Sequence, residues 1–151
     1  MPEPRRLAAQ IRDVEFGERV TIVEPANLYN CVLGDDVFVG PFTEIQSGVE
    51  IGARTRIHSH TFVCELVSVG EDCFVGHGVM FINDLLRDGP AGGDRNKWAP
   101  TRIGNHVSIG SNATILPVSI AAGTVIGAGA VVSRDITEPG VYAGIPARRL
   151  R

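Results

Sequence analysis

An apolar side chain returns at every sixth position along most of this chain. One series runs from residue 33 to residue 81 without a break, and a second begins at residue 103 and makes a single step of five. Their members are Leu33, Val39, Ile45, Ile51, Ile57, Val63, Val69, Val75 and Phe81, then Ile103, Ile109, Ile115, Ile120, Ile126 and Val132. A period of six is neither that of an α-helix nor that of an alternating strand, and it is typical of a parallel β-helix.

The other positions of each hexad favour the same architecture. Glycine often follows the repeat residue, as at Gly34 and Gly76, where it permits a tight corner. The fifth position, from Val37 to Val79, holds small or β-branched residues that suit a narrow core. Each hexad therefore predicts one short strand and a corner, and three hexads close one triangular coil. Residues 18 apart should then lie one above another, in parallel strands about 4.8 Å apart.

Composition limits the classes of function. The chain has 151 residues, a natural size for one domain, and its net charge of -3 predicts no binding to nucleic acid or to a membrane surface. It contains no apolar stretch long enough to span a bilayer and begins with no apolar signal segment, so we expect a cytoplasmic protein. Cys31, Cys64 and Cys73 match no zinc-binding spacing and are expected to be buried, reduced thiols.

The 18-residue register predicts one polar column. Ser47, Glu65 and Asn83 share it, and Asp84 follows directly. Two carboxylates and a carboxamide thus converge where the repeat also breaks off. This coincidence favours a functional site, although a ladder of solvated corner residues is the simpler alternative.

Two segments carry no hexad. Residues 85–99 are rich in glycine and contain Trp98, the only tryptophan, so they predict a loop. Long loops in compact domains are usually functional, and we expect this one to project over a site or a neighbouring subunit; the alternative is a tolerated surface insertion. The tail, residues 137–151, either caps the open end of the coil or holds an anionic ligand.

The chain resembles the hexapeptide-repeat acyltransferase superfamily in the segments IGSNATILP (109–117), IGAGAVVSRDI (126–136) and AGIPARRL (143–150). The resemblance implies a single all-β acyltransferase domain over residues 1–151. Its fold would be a left-handed parallel β-helix with triangular coils over about residues 20–136 and a protruding loop at 85–99. It further implies a homotrimer with sites between subunits that uses acetyl-coenzyme A and no metal.

The same resemblance suggests residues for coenzyme A. The pantetheine arm is expected along the backbone near Ser111, Ala128 and Ala130. The phosphates would meet cationic side chains and the adenine a proline, for which the candidates are Arg134, Arg148, Arg149 and Pro146. For each arginine, the alternative is a solvated surface charge. At Pro117–Val118 the chain has one residue fewer than many relatives, so the local shape of the coenzyme A groove is left open.

A narrower match covers TFVCELVSVGEDCFVGHGVMFIND (61–84) and KWAPTRIG (97–104). These segments are similar to the acetyltransferases that modify the 3-amino group of a dTDP-linked 3-amino-3,6-dideoxyhexose. In that family the matching Glu, Asn and Asp, here Glu65, Asn83 and Asp84, lie beside the sugar amine. The resemblance implies that Asn83 and Asp84 orient the amine and that Glu65 supports it or accepts a sugar hydroxyl.

One departure from related enzymes bears on the acceptor. Sugar and drug O-acetyltransferases of the superfamily carry a catalytic histidine at the slot that Leu86 occupies here. A hydroxyl nucleophile usually needs such a base, whereas a neutral amine attacks a thioester without one. The leucine therefore favours N-acetylation.

Three histidines are further candidates for substrate binding. His58 and His60 flank Ser59, which the register places beneath His77. They either contact the nucleotide or sugar from across a subunit boundary or serve as hydrogen-bonding corner residues.

Other functions remain open. The acceptor could be a UDP-linked 3-amino uronic acid or a hydroxyl of another sugar or an antibiotic, and a non-catalytic β-helix scaffold is a different class. A zinc-dependent carbonic anhydrase of the γ type needs two ligand histidines five residues apart, and the interval from His77 to His106 is far too long.

Overall fold

The computed structural model describes residues 3–87, 89 and 94–151. Among them it contains 21 short strands and a 3-10 turn at Arg95–Lys97. In chain order the strands are β1 (Ile11–Arg12), β2 (Glu15–Phe16), β3 (Thr21–Ile22), β4 (Asn27–Tyr29), β5 (Val32–Leu33), β6 (Phe38–Val39), β7 (Glu44–Ile45), β8 (Glu50–Ile51), β9 (Arg56–Ile57), β10 (Phe62–Val63), β11 (Val67–Val69), β12 (Phe74–Val75), β13 (Met80–Phe81), β14 (Thr101–Ile103), β15 (Ser108–Ile109), β16 (Thr114–Ile115), β17 (Ser119–Ile120), β18 (Val125–Ile126), β19 (Val131–Val132), β20 (Val141–Ala143) and β21 (Arg148–Arg149).

The strands form three sheets, and consecutive strands belong to different sheets except for β20 and β21. Sheet A has the order β1-β4-β7-β10-β13-β16-β19, and sheet B the order β2-β5-β8-β11-β14-β17. Sheet C has the order β3-β6-β9-β12-β15-β18-β20-β21, and its last pair is antiparallel. The other pairs are parallel, as in β7–β10 and β8–β11. The predicted fold class, a three-sided parallel β-helix, is confirmed. Within the described residues, no helix is long and apolar enough to cross a membrane.

The predicted inward positions form the core. Every repeat residue from Leu33 to Val132 in the two series is buried. Threonines at the fifth position are buried as well, and their hydroxyls donate to backbone carbonyls: Thr55 to Gly70 at 2.7 Å and Thr61 to Gly76 at 3.0 Å. Each bond offsets the cost of burying a hydroxyl. The three cysteines are also buried, as predicted, and unpaired.

The register of 18 holds in the middle of the coil. There Glu44 pairs with Phe62, and Phe62 with Met80. In the first coils it is 17, as between Asn27 and Glu44, and across the loop it is 34, as between Met80 and Thr114. Beyond the loop it is 17 again, as between Ser108 and Val125, and in the last coil it is 16, between Val125 and Val141.

All these departures occur at the same corner. We name the corners AB, BC and CA after the sheets that they join. Repeat residues are six apart at BC and CA corners, as in the steps from Leu33 to Val39 and on to Ile45. At AB corners the step is five from Leu28 to Leu33 but 22 from Phe81 to Ile103. The AB corner is thus the place where the coil accepts a variable length of chain.

The coil begins earlier than predicted. Strands β1 and β2 already pair with β4 and β5, through Ile11 with Leu28 and Phe16 with Leu33. The helix therefore starts at Ile11 and not near residue 20. Two steps of five at successive AB corners hide the period there. At the other end, β20 extends sheet C, so part of the tail continues the coil.

Candidate active site

The AB corner brings Glu65 and Asn83 together. They follow β10 and β13 on adjacent coils, and the Asn83 Nδ2 donates to the backbone carbonyl of Glu65 at 3.1 Å. The Glu65 backbone N–H donates to the Gln46 Oε1 at 3.3 Å. Ser47 belongs to the coil below, where its hydroxyl accepts a bond from Asn30 at 2.6 Å. The vertical alignment that the register predicts for positions 65 and 83 is present.

Asp84 stands next to this pair, where the chain leaves the coil. Its Oδ1 accepts the backbone N–H of Leu86 at 2.8 Å, which fixes the start of the loop. The Leu86 side chain is exposed. None of the four histidines of the chain, all of which lie in the described part, is at an AB corner.

The returning limb of the loop lies against the column. The Ala99 backbone N–H donates to the Asn83 carbonyl at 3.0 Å, and the Arg95 guanidinium forms an ion pair with the Glu65 carboxylate. The same guanidinium lies 5.1 Å from the centre of the Trp98 ring, whose indole Nε1 is buried without a hydrogen-bond partner. The described part of the loop thus contacts the column of its own coil, while residues 88 and 90–93 lie outside the described residues.

The candidate histidines lie at the CA corner. His58 and His60 follow β9, and His77 follows β12 one coil above. The His77 Nδ1 lies 2.9 Å from the Ser59 hydroxyl, as the register predicts. His60 is exposed, and its ring centre is 5.0 Å from that of Phe42.

His58 occupies the slot that glycine fills one coil below and above, at Gly40 and Gly76. Its ring centre is 4.8 Å from that of His77 and 4.7 Å from that of Phe74. The Nε2 is buried and has no hydrogen-bond partner. Burial lowers the pKa of His58, and the charges of His77 and Arg56 lower it further. We therefore expect a neutral imidazole here.

The two groups of predicted site residues stand on different corners of one copy. Glu65 and Asn83 lie at the AB edge of sheet A, and the histidines lie at its CA edge. An extended hexad that includes a strand of sheet A holds these edges apart, by about 20 Å at 3.3 Å per residue. A single copy therefore does not bring the histidines to the carboxamide.

Three candidate coenzyme A residues of the upper coils, Ser111, Ala128 and Ala130, also lie at the CA corner. Ser111 follows β15 and Ala128 follows β18, above the His77 position. Ala130 directly precedes β19. Its side chain is wholly buried, its backbone N–H donates to the Gly127 carbonyl, and its own carbonyl accepts the Thr114 N–H.

Three predicted arginines converge at the end of the coil. Arg134, Arg148 and Arg149 line a shallow cavity of about 190 Å³ together with Tyr142. Arg149 already has protein partners, because its Nη1 lies 2.9 Å from the Glu138 carboxylate. Arg134 and Arg148 are exposed. Pro146 is exposed in the turn before β21.

Sequence reasoning missed two neighbours of Glu65. Gln46 precedes Ser47 by one residue, so the register could have found it. Arg95 sits on a segment without a period, and no spacing relates it to Glu65. Within the described residues, no group of three or more histidine, cysteine, aspartate or glutamate side chains converges as metal ligands.

Comparisons with known families match the repeats. Residues 30–65 match the family described as bacterial transferase hexapeptide (six repeats), and residues 100–134 match the hexapeptide repeat of succinyl-transferase. The bifunctional protein GlmU of Clavibacter sepedonicus is 32% identical over an alignment that covers 92% of this chain and 30% of that protein. The chain thus spans less than a third of the length of this curated relative.

Solved structures resemble the whole coil. A mutant of AntD, an N-acyltransferase from Bacillus cereus in complex with dTDP and coenzyme A, superposes with a TM-score of 0.81 at 22% identity, covering 91% of this chain and 82% of that one. A hexapeptide-repeat-containing acetyltransferase from Vibrio cholerae O1 biovar eltor, complexed with acetyl-coenzyme A, gives a TM-score of 0.70 at 25% identity, covering 81% and 70%. The likeness to AntD shows the fold and agrees with the left-handed coil that the resemblance implies. The period-six strands and the two matched repeat segments together show that this chain is a hexapeptide-repeat protein.

Proposed function

We propose that this protein transfers an acetyl group from acetyl-coenzyme A to the 3-amino group of a nucleotide-linked 3-amino-3,6-dideoxyhexose. The observation that carries the proposal is the Asn83 carboxamide held against Glu65 at the AB corner, where the coil gives way to the loop and no histidine stands. An amide and carboxylates without an imidazole suit an acceptor that needs orientation more than deprotonation.

The orientation of Asn83 assigns its atoms. Because Nδ2 donates to the Glu65 carbonyl, Oδ1 is the acceptor that an amine N–H of the substrate would use. Asp84 already binds the Leu86 N–H through Oδ1, so its Oδ2 is the oxygen that would hold the same amine or a sugar hydroxyl. The Asn83 Oδ1 and the Asp84 Oδ2 would therefore both accept hydrogen bonds from the amine.

The reaction needs no further reagent. The amine nitrogen attacks the thioester carbonyl, a C–N bond forms, and the C–S bond breaks. The departing coenzyme A sulfur, or water, takes the proton that the amine loses. Holding the two reactants in line supplies much of the rate.

The placement of the coenzyme A candidates supports a site shared between copies. Ser111 and Ala128 lie at the CA corner, whereas Asn83 lies at the AB corner. A neighbouring subunit would bring its CA corner to this AB corner, as in the homotrimer that the resemblance implies. The unpaired thiols Cys31, Cys64 and Cys73 fit a reducing, cytoplasmic setting.

Two solved structures support the choice of ligands. AntD is an N-acyltransferase that was crystallised with dTDP and coenzyme A, and the Vibrio protein is an acetyltransferase that was crystallised with acetyl-coenzyme A. These ligands correspond to the two substrates proposed here.

The proposal is tested by incubating the protein with acetyl-coenzyme A and a panel of acceptors, followed by mass spectrometry and thiol release. The panel contains dTDP-linked 3-amino-3,6-dideoxyhexoses, a UDP-linked 3-amino uronic acid and a 3-hydroxy analogue of each. We expect acetylation of a dTDP-linked amine and none of the hydroxy analogues. Acetylation of the UDP-linked uronic acid alone, or of a hydroxyl group, would show that the proposed acceptor is wrong. A protein that neither turns over any acceptor nor gains thermal stability from coenzyme A would be a scaffold.

A further inference from the structure

The proposed site concentrates negative charge around the acceptor. Glu65 and Asp84 flank Asn83, and Glu44 lies on β7 in the coil below. Burial raises the pKa of the Tyr29 hydroxyl, and the carboxylates of Glu44 and Glu65 raise it further, so both carboxylates act on one small region. An uncompensated carboxylate favours the ammonium form of an amine, and an ammonium has no lone pair with which to attack a thioester.

Arg95 is the cation that faces Glu65. Its guanidinium bonds the Oε2 of Glu65, whose side chain is 22% exposed, and it also lies over the Trp98 ring. The limb that carries it is anchored beside the site by the bond from the Ala99 N–H to the Asn83 carbonyl. A guanidinium stays protonated at every working pH, so this compensation is permanent.

The charged groups around Glu65 come from three other parts of the chain. Arg95 comes from the loop, Asp84 from the end of β13 and Glu44 from β7. In the first coils, Arg12 on β1 lies over the Tyr29 ring at 4.4 Å and bonds Asn27, four strands of sheet A below the β13 strand that Asn83 follows. Arg95 is therefore the cation best placed to balance the carboxylate next to the acceptor.

We propose that Arg95 is a positioning residue that neutralises Glu65 and thereby favours the unprotonated form of the acceptor amine. This inference rests on the proposed function. It assigns Arg95 no contact with the reacting atoms, because the residue acts through the Glu65 carboxylate. Of the two carboxylates beside the acceptor, it removes the charge of one and so weakens the pull towards the ammonium form.

The test is the pH profile of kcat/KM for the amine acceptor in wild-type protein and in Arg95→Gln. Loss of the guanidinium should move the ascending limb towards alkaline pH by about one unit. The kcat/KM would then fall roughly tenfold on the acidic side of the pH profile and change little on its alkaline plateau. Arg95→Lys, which keeps the charge, should restore most of the wild-type midpoint. Arg87→Gln, on the outgoing limb of the same loop, is the matched control and should leave the midpoint in place.

A double variant separates charge from structure. If Arg95 acts through Glu65, Arg95→Gln combined with Glu65→Gln should bring the midpoint back towards the wild-type value, because the uncompensated carboxylate is gone. If Arg95 only anchors the loop, Arg95→Gln lowers activity equally at all pH values, and that result overturns the inference. A wild-type protein that acetylates no amine would instead refute the proposed function, and the inference with it.

Discussion

At the scale of single residues, Asn83 joins two coils through one side chain. Its amide donates to the Glu65 carbonyl, and its own backbone carbonyl accepts the Ala99 N–H. Asn83→Ala keeps the backbone bond and removes the amide. We expect about 1 kcal/mol of lost stability from the deleted hydrogen bond. We also expect kcat/KM for the amine acceptor to fall roughly a hundredfold, because the acceptor loses its orientation. Steady-state kinetics and a thermal melt measure the two effects separately.

Ser47→Ala is the matched control for Asn83→Ala. Ser47 belongs to the same column and bonds Asn30, one coil below Glu65. It should lose a similar amount of stability and retain activity. Equal kcat/KM values for the Asn83→Ala and Ser47→Ala variants would show that Asn83 does not orient the acceptor amine.

The tail offers a second residue-scale prediction. Arg148 is exposed and lines the cavity at the end of the coil, whereas Arg149 is held by Glu138 and by the Pro139 carbonyl. Arg148→Ala should therefore raise the KM for acetyl-coenzyme A several-fold with little change in kcat, because one charge-assisted bond to a phosphate is lost. Arg102→Ala, on the outer face of sheet B, is the control. An unchanged KM for acetyl-coenzyme A in the Arg148 variant would show that Arg148 does not bind a phosphate of coenzyme A.

The residues of the candidate site were predictable to different degrees. The pairing of Glu65 with Asn83 follows from a register of 18, because a solenoid converts a sequence interval into a vertical contact. The ion pair of Arg95 with Glu65 was not predictable, because a loop has no period and its path depends on packing. His58 is an intermediate case: its occupation of a glycine slot is visible in the sequence, but its burial is not.

At the scale of elements, the BC corner carries a ladder of opposite charges. Arg19 binds Asp36 through two nitrogens at 2.7 and 2.8 Å, and Arg54 binds Asp72 in the same way at 2.7 and 2.9 Å. All four have left-handed backbone angles, with φ between 54° and 61°, so their side chains stack along one edge. Each pair ties one coil to the next.

This ladder predicts a pH dependence of stability. Hydrogen bonds from Arg54 hold the pKa of the Asp72 carboxyl below its usual 3.8, and Arg19 does the same for Asp36. A carboxyl whose pKa is lowered by folding stabilises the protein above its unfolded pKa, and that stabilisation is lost as the pH falls through the folded pKa. The gap in Tm between wild type and Asp72→Asn should thus be constant from about pH 7 to 5 and shrink below about pH 4.

The control for the ladder is Asp13→Asn. Asp13 has the same left-handed backbone, with φ of 52°, but it lies at the AB corner. The gap in Tm between wild type and Asp13→Asn should therefore not shrink below about pH 4. A gap for Asp72→Asn that persists unchanged at pH 3 would show that the ion pair contributes nothing and that only packing was altered.

The first coil shows where element prediction failed. Ile11 and Phe16 are in register with Leu28 and Leu33, although Phe16 is 50% exposed in this terminal coil, and the step between Ile11 and Phe16 is five. BC and CA corners keep the period because glycines such as Gly34 and Gly76 let the backbones of adjacent coils approach closely. A Cβ on Gly34 would lie 2.7 Å from the Ala53 nitrogen, and one on Gly76 would lie 2.8 Å from the Ser111 nitrogen. AB corners carry larger residues in that slot, such as Gln46 and Cys64, and there the chain length varies.

At the scale of the whole molecule, sheet A separates the two halves of the proposed site. Asn83 stands at its AB edge, and the CA edge carries Ser111 and Ala128. If coenzyme A lies along the CA edge of a neighbouring copy, each site takes one edge from each of two subunits. The arrangement makes activity a property of the assembly, since neither edge alone holds both substrates.

Subunit complementation tests this arrangement. Asn83→Ala disables the AB edge, and Ala128→Trp blocks the CA edge with a bulky side chain at an exposed position. Each variant alone should retain about 1% of wild-type activity or less, in line with the roughly hundredfold loss expected for Asn83→Ala. The two variants are co-expressed with different tags, and trimers that contain both are isolated. Such a trimer has two copies of one variant and one copy of the other. In either case, one of its three subunit boundaries joins an unaltered AB edge to an unaltered CA edge. Mixed trimers should therefore recover about one third of wild-type activity. If both edges served the same copy, mixing would restore nothing, and the shared site would be excluded.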